Sequence, residues 1–281
     1  MVPRGERMGV ITISRQLGSR GDEIGRLLVE KEGYRCLDKE SLEETFKRDG
    51  VSLGSVERYD ERSPRFFRHF SRDKNTYLHF LKSAVYDCAR DRHAVVFGRG
   101  GHLILADLPG VLSLRFTAPR EVRIARVARE SGVSEEEAAA MIEHSDAARE
   151  GFHRFFFNRS WDSPRQYDLT FNSERIDNSC LVDMIKRALE DLNRPEVVKE
   201  TGNRLDNLFL TQEVISQIVY RDRIPVQNLE VDCHDGEAFL RGMVMIEEHV
   251  RLVKESAQKV AGVHSVRSEI YFIPSYTYVM R

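Results

Sequence analysis

The stretch from Val10 to Leu37, VITISRQLGSRGDEIGRLLVEKEGYRCL, predicts a strand, a glycine-containing loop and a helix, followed by a second strand. β-branched residues fill its first four positions, and a helical pattern begins near Gly21. The backbone amides of such a loop, together with the positive end of the helix, bind phosphate. This stretch therefore predicts a phosphate site at the edge of a sheet.

The loop departs from the standard phosphate-binding pattern G-x-x-x-x-G-K-[ST]. It reads RQLGSRGDE from Arg15 to Glu23, without the usual lysine and without a Ser or Thr after it. Gly18 and Gly21 still permit a positive φ and close approach of an anion. The sequence therefore favours the fold more strongly than the chemistry, and a plain strand-to-helix turn is the alternative.

Several side chains of the loop are candidates for phosphate chemistry. Arg15 and Arg20 are the candidate catalytic cations, since arginine binds phosphate bidentately, although its planar group does not place charge where an ammonium would. Asp22 and Glu23 either face phosphate through a magnesium ion or simply stabilise the first helical turn. The candidate nucleotide-binding set is Gly18, Ser19, Arg20, Gly21, Asp22 and Glu23.

Composition limits the class of protein. The 281 residues are 41% hydrophobic with a formal charge of −2, which argues against a chain that is basic throughout and coats nucleic acid. The four cysteines lie far apart without a C-x-x-C pair, so we expect reduced thiols and no zinc site. No apolar run approaches the roughly 18 residues of a membrane span, and the N-terminus has no apolar signal segment. These features predict a soluble, cytoplasmic protein.

Short β-rich runs alternate with longer helical patterns from residue 9 to 192, which is typical of a parallel sheet with helices on both faces. Five strands are predicted, at 9–14, 34–37, 93–98, 111–116 and 167–172. Helices are predicted at 21–32, 39–48, 74–91, 119–131, 134–150 and 176–192. The fold class is therefore α/β, with a parallel five-stranded sheet of the P-loop NTPase type.

Two longer segments are predicted to lie over the carboxyl edge of this sheet. The region from Gly50 to Asn75 is too long for a simple connection and interleaves arginines with aromatic residues. A substrate-side insertion or dimer face explains this composition better than a site for single-stranded nucleic acid. The segment 145–166 is predicted to be a mobile lid.

The pattern changes after a polar stretch at 193–203, which reads as a linker. A small acidic αββαβ module follows, with 8 Lys/Arg and 11 Asp/Glu, and its elements are predicted at 204–221, 226–231, 238–244, 246–261 and 266–273. His-Asp-Gly-Glu forms its hairpin turn. The predicted division is a lead at 1–8, a P-loop domain at 9–192, a linker at 193–203, a small α+β domain at 204–275 and a tail at 276–281.

Five sequence blocks follow one another in the first domain: ITISRQLGSRGDEIGRLL, GYRCLDKE, VVFGRGG, FTAPREVRIARV and YDLTFNS. Their order resembles the cytidylate-kinase-like branch of the nucleoside monophosphate kinases. This resemblance implies ATP as phosphate donor, magnesium, and CMP or dCMP as acceptor. The C-terminal motifs D-G-E-A-x-L-R-G-x-V and A-G-V-x-x-V-x-S resemble a BON domain, which implies binding of a membrane, a ligand or a protein surface.

Substrate contacts are expected at the ends of the strands. Asp38 and Lys39 follow the second strand, where Asp38 either contacts substrate or caps the next helix. The resemblance places an acceptor-phosphate contact at Arg99, although Gly100 stands where bacterial cytidylate kinases carry Asp. It also places a phosphate contact at Arg126, and the neighbouring arginines 120, 123 and 129 read as a solvated helical face.

The predicted lid contributes further cations. Arg149, Arg154 and Arg159, with His153, are candidates to neutralise the transferring phosphoryl group, of which one or two suffice. Arg149 is assigned to substrate binding, and Arg154 and Arg159 to catalysis. The nearby Phe155–Phe157 run is expected to pack against the core.

The leading prediction is a nucleoside monophosphate kinase-like enzyme with a regulatory BON-like module. Its rival is a nucleotide-binding sensor that has lost catalysis and whose acidic module docks a partner or ligand, because the loop lysine is missing. A third interpretation has another small metabolite or a protein hydroxyl as the acceptor. Nucleic acid is not an expected partner, and a homo-oligomer stays open.

Overall fold

The structure, a computed structural model, describes residues 9–48 and 71–274 of the chain. It contains two units, divided between Gly202 and Asn203. The predicted lead at 1–8, most of the predicted insertion at 50–75 and the tail at 276–281 lie outside the described residues.

Five parallel strands form the sheet of the first unit. They are β1 (Gly9–Arg15), β2 (Arg35–Leu37), β3 (His93–Phe97), β4 (Val111–Thr117) and β5 (Leu169–Asn172). Their order is β2-β3-β1-β4-β5, which places β1 at the centre. The carboxyl end of β1 therefore opens into the middle of the sheet edge, between the ends of β3 and β4.

Seven helices accompany these strands in the described part of the unit. They are α1 (Gly21–Glu32), α2 (Lys39–Arg48), α3 (Ser71–Arg90), α4 (Gly101–Ile104), α5 (Arg120–Ser131), α6 (Glu135–Phe157) and α7 (Asn178–Leu192). A 3-10 turn at Pro164–Gln166 precedes β5. The predicted α/β fold with a five-stranded parallel sheet is confirmed.

Apolar side chains on both faces of β1 explain why this sheet is buried. Ile11 and Ile13 pack with α1 and α7 in one cluster, where both side chains are almost fully buried. Thr12 lies on the opposite face, against the start of α4, and is also buried. Because successive strand residues point to opposite faces, such a strand needs helices on both sides.

Helix α6 is longer than the sequence predicts. The predicted helix ends at residue 150, whereas α6 continues to Phe157. Its extension buries Phe152 and Phe156, which contact the ring of Tyr77 on α3. The first half of the predicted lid at 145–166 is therefore a helix packed on the core.

The second unit contains a three-stranded sheet in the order β6-β7-β8. Its elements are β6 (Gln227–His234), β7 (Glu237–Val244), α9 (Glu248–Gln258) and β8 (Ser265–Phe272), preceded by the end of α8 (Pro195–Ile215) and a π-helical turn at Ser216–Arg221. β6 and β7 are antiparallel, whereas β7 and β8 are parallel. The predicted αββαβ arrangement is confirmed.

The hairpin turn of this unit lies where the sequence predicts it. Asp235 and Gly236 have φ angles of 47° and 82°. Positive φ at both central residues is the requirement of the type I′ turn, for which Asp-Gly is a preferred pair.

Residues 195–203 are helical, although the polar composition of 193–203 predicts an irregular linker. Helix α8 begins at Pro195, and proline at a first helical position loses no hydrogen bond because that N–H has no intrahelical acceptor. Thr201 is fully buried, and its Oγ accepts a hydrogen bond of 3.0 Å from the Gly110 amide. The domain boundaries themselves stay a prediction.

Candidate phosphate-binding site

A tight loop joins β1 to α1 at the centre of the carboxyl edge. Gly18 has a φ of 77°, and a Cβ there would lie 2.9 Å from the carbonyl oxygen of Arg123. Ser19 is fully buried and turns back on the loop, since its amide and its Oγ both donate to the carbonyl of Gln16, at 3.1 and 2.7 Å. The Ser19 hydroxyl is therefore occupied within the loop.

Three consecutive carbonyl oxygens of this loop accept hydrogen bonds from side chains outside it. The bonds run from Arg123 to Leu17 at 3.4 Å, from Arg126 to Gly18 at 3.1 Å and from Ser173 to Ser19 at 2.7 Å. A trans peptide points its N–H away from its C=O, so the amides that follow these carbonyls face the other way. Within the described ranges, the amides of Gly18 and Arg20 have no protein acceptor. The loop thus presents free donors on the side where an anion would bind.

The position of the standard lysine is closed. Gly21 occupies it, and a Cβ built there would lie 2.5 Å from Arg15 Cβ and 3.1 Å from Phe116 Cβ. A lysine at position 21 is therefore incompatible with Arg15 in its present position, because the Cβ atoms of the two side chains would overlap.

Arg15 provides a cation beside the loop. Its Nε and Nη2 both lie 2.8 Å from Asp22 Oδ1, and its guanidinium lies over the Phe97 ring, 5.5 Å from the ring centre. Burial tends to raise the pKa of Asp22, but the charge and hydrogen bond of Arg15, with a smaller contribution from Arg149, lower it overall. Asp22 is thus held ionised as the partner of Arg15.

The side chain of Arg20, a candidate catalytic cation, is bonded to the connection between β5 and α7. This residue has a left-handed φ of 59° and donates to the carbonyl oxygens of Ser173 and of Ile176, the latter at 2.7 Å. These acceptors follow β5, on the side of the loop that its carbonyl oxygens face. Arg20 therefore anchors the loop to the β5–α7 connection, because its backbone conformation turns the side chain outward.

A cavity of about 490 Å³ opens between α1 and α2 and contains Arg15, Asp22, Asp38 and Lys39 in its wall. Asp38 caps α2, since its Oδ1 accepts from the Ser41 amide at 3.0 Å. The structure thus shows the capping alternative for Asp38. Lys39 is half-exposed, with Nζ 3.8 Å from Glu43, and stays a candidate for contact with an anionic substrate. Glu23 is exposed and accepts a bond from Asn178, on the outer side of α1.

Arg99 is buried at the end of β3. Its backbone has a φ of 53°, and Nη1 donates to the hydroxyl of Tyr77 at 3.0 Å. The next residue, Gly100, also has a positive φ of 69°, and a Cβ there would overlap the ring of Phe157. The Asp that the bacterial cytidylate kinases carry at this position has no space in this chain.

The structure separates the three arginines of the predicted lid. Arg149 is buried, donates to the hydroxyl of Ser145 and is near enough to Asp22 to lower its pKa. Arg154 is exposed and paired with Glu150 at 2.5 Å. Arg159 is exposed and lines a different cavity. The lid assignment therefore brings Arg149, but neither Arg154 nor Arg159, towards the phosphate loop.

Sequence reasoning missed two residues that support the loop. Arg123, interpreted as part of a solvated face, is 6% exposed and bonds both Leu17 and Asp146, the latter at 2.9 Å. Ser173 is fully buried, and it lies in the YDLTFNS block that already marked this region. The three-residue spacing from 123 to 126 was the available signal, since it places both side chains on the loop side of α5.

The segment after α6 is fastened to the strand that carries the loop. Trp161 Nε1 donates to Ser14 Oγ at 2.7 Å, and the Tyr167 hydroxyl lies 3.1 Å from the same oxygen. Arg115, which is 2% exposed, donates to the Trp161 carbonyl at 2.6 Å.

Burial, with the nearby His153 and Arg115, lowers the pKa of His102 to about 3, so this buried imidazole is neutral.

The fold and site together define a kinase-like nucleotide-binding domain of the P-loop class. Residues 10–175 match the cytidylate kinase-like family, and residues 209–274 match the BON domain. The chain therefore belongs to the cytidylate kinase-like family and carries a BON domain, as the resemblance in its sequence indicates.

Three proteins show what this chain is similar to. The cytidylate kinase of Methanosarcina barkeri is 26% identical over 194 residues, which are 66% of this chain and 99% of that protein. A solved structure of an uncharacterized protein from Eubacterium ventriosum has 25% identity and a TM-score of 0.52, covering 66% of this chain and 99% of that one. The uronate isomerase of Corynebacterium glutamicum is 28% identical over 135 residues, 48% of this chain, and the chain spans about a quarter (25%) of its length.

Two features are absent from residues 9–48 and 71–274. None of the helices there combines the length and hydropathy needed to cross a bilayer. No group of three or more His, Cys, Asp or Glu side chains is arranged to hold a metal ion by itself. The four cysteines are free, as predicted.

Proposed function

We propose that the first unit transfers the γ-phosphoryl group of ATP to a nucleoside monophosphate, with CMP or dCMP as the first-choice acceptor. The observation that carries this proposal is the loop between β1 and α1, in which three consecutive carbonyl oxygens accept hydrogen bonds from side chains outside the loop. Family membership and the likeness to the Methanosarcina barkeri cytidylate kinase support ATP and CMP as the substrates.

Arg15 supplies the charge that a lysine gives to the phosphates in the standard loop. Its guanidinium is already held beside the loop by Asp22 and Phe97. The side chain therefore loses little conformational entropy when a phosphate binds. Guanidinium presents five N–H donors in a fixed fork. One edge can thus keep its bond to Asp22 while other donors bind a phosphate oxygen.

Magnesium, which the family implies, fits one residue of this loop. Asp22 accepts Arg15 through Oδ1, which leaves Oδ2 for an ion, and its side chain is half-exposed. Mg²⁺ is commonly held by one or two carboxylates together with substrate phosphates. Asp22 would hold the ion jointly with the nucleotide, and the ion would neutralise phosphate charge.

Phosphoryl transfer of this kind rests on positioning and charge neutralisation, with no covalent intermediate. The free loop amides hold the donor phosphates, and Arg126 keeps the Gly18 carbonyl turned away from them. Arg99 holds the acceptor phosphate from the end of β3, and Arg149 adds positive charge near Asp22. Arg154 and Arg159 have no role in this arrangement.

The test is coupled ADP release from the full chain with ATP, magnesium and a panel of CMP, dCMP, UMP, AMP and GMP. Arg99→Ala is expected to raise the acceptor KM or lower kcat/KM while leaving ATP binding intact. The matched control is Arg187→Ala, an exposed arginine on α7. Turnover with an unchanged acceptor profile in Arg99→Ala would remove this residue from the acceptor site.

A second candidate function is a nucleotide sensor without catalysis, in which the BON domain docks a partner or ligand. The closure of position 21 to any side chain favours it, since the loop then lacks a mobile ammonium that follows the transferred group. ATP-dependent thermal stabilisation without turnover across the acceptor panel would select the sensor over the kinase.

A further inference from the structure

A second cavity of about 770 Å³ lies in the first unit, between the α4–β4 connection and the segment 158–168. Its apolar lining includes Leu103 and Leu192, which are partly exposed, and Pro109, which is exposed. No residue of the phosphate loop lines it. Its size is that of sites for small organic ligands, which typically occupy roughly 300–1,000 Å³.

The charged part of the lining is mainly positive. Arg159 and Arg165 both line the cavity and are exposed, and neither has an ion-pair partner in the described ranges. The acidic lining residue is Asp168, whose Oδ2 already accepts bonds from the amide and hydroxyl of Ser113 at 2.7 and 2.6 Å. Two cations and one carboxylate therefore line the cavity, which leaves its lining with a net positive charge in a chain whose formal charge is −2.

Two lining residues each have a buried polar atom without a hydrogen-bond partner among the described residues. His102, a lining residue that is 4% exposed, has a buried Nε2 without a partner among the described residues. The Oε1 atom of Gln166 is in the same condition. A buried polar atom without a partner costs free energy, but both atoms are shielded from solvent, so binding rests on the two arginines and the apolar lining.

We propose that this cavity binds a small organic anion with an apolar or aromatic body. Arg159 and Arg165 hold its acidic group, since paired guanidinium groups recognise carboxylate, sulfonate or phosphate oxygens in a bidentate manner. Leu103, Pro109 and Leu192 contact its apolar part. This site is separate from the phosphate loop and does not depend on the kinase function proposed above.

The experiment compares two fluorescent probes on the full chain. The probes are 8-anilinonaphthalene-1-sulfonate and its neutral analogue N-phenyl-1-naphthylamine, which has the same rings without the sulfonate. The sulfonate is expected to bind at least about tenfold more tightly, because guanidinium–anion bonds are charge-assisted. Saturating ATP is expected not to displace it.

Substitutions locate the probe. Arg159→Ala/Arg165→Ala is expected to lose at least about tenfold in sulfonate affinity and to retain its affinity for the neutral analogue. Arg159→Gln/Arg165→Gln, measured in parallel, preserves polarity and is expected to show the same loss. The control Arg175→Ala/Arg187→Ala removes two exposed arginines of the same unit, with the same change in net charge, and is expected to bind as wild type.

Two results would overturn the proposal. One is an unchanged sulfonate affinity in both cavity variants. The other is an equal loss in the control variant, which would assign the effect to net charge rather than to this site.

Discussion

Replacing Gly21 with the lysine of the standard phosphate-binding loop is expected not to restore that loop. A Cβ there would lie 2.5 Å from Arg15 Cβ and 3.1 Å from Phe116 Cβ. Both atoms are fixed to the backbone of the central strands, so the main chain has to shift, and overpacking of this kind costs about 1–3 kcal/mol. Gly21→Lys is therefore expected to destabilise the first unit and to weaken ATP binding, even though it restores the lysine.

Urea and thermal unfolding of Gly21→Ala measure the Cβ alone. For a unit of about 150–250 residues, each kcal/mol lowers Tm by about 2–4 °C, so a fall of roughly 2–12 °C is expected. Arg15→Gly removes the nearer atom, and the double variant is expected to recover about 0.5–3 kcal/mol relative to the sum of the single effects. A Gly21→Lys protein with wild-type Tm and tighter ATP binding would refute this reasoning.

Three further outcomes are expected. Gly100→Asp lowers Tm without improving CMP turnover, because its φ of 69° is strained for a side chain and the adjacent aromatic ring fills the space; improved turnover would contradict this. Arg126→Ala weakens ATP binding about tenfold by calorimetry through loss of its bond to the loop carbonyl, whereas the exposed Arg129→Ala on the same helix does not. The pKa of His102 is lowered to about 3 in the folded protein, so below about pH 6.5 the unfolded chain binds a proton that the folded chain does not. The free energy of unfolding of wild type is therefore expected to fall by about 2 kcal/mol between pH 6.5 and 5. Urea titrations are expected to show that loss in His144→Asn, an exposed control, but not in His102→Asn.

The fold follows from the sequence because its signals are local and periodic. Helix α1 has the predicted bounds, since an αL residue precedes it and Gly33 ends it with a φ of 71°. The prediction that α6 ends at residue 150 is wrong. The aromatic run after that residue is compatible with a lid, and its contact with Tyr77 on α3 is not visible in the sequence. The polar composition of 193–203 does not indicate the helix that begins at Pro195, because the buried bond between Thr201 and Gly110 joins residues far apart in the sequence.

The site was less predictable because side-chain direction depends on distant residues. Arg15 lies beside the loop as expected, with a partner seven positions away. The bonds of Arg20 could not be foreseen, since the carbonyl oxygens that accept them are more than 150 residues along the chain. Arg123 was missed for the same reason, as Asp146 and the loop carbonyl are not neighbours in sequence.

The central claim is that this loop holds ATP with Arg15 in place of the lysine. The most direct test is calorimetric titration of ATP with magnesium into wild type, Arg15→Ala and the control Arg187→Ala. The account predicts binding by wild type and the control, and a loss of at least about tenfold in Arg15→Ala. Equal affinity in all three proteins, or no ATP binding by wild type, would contradict it.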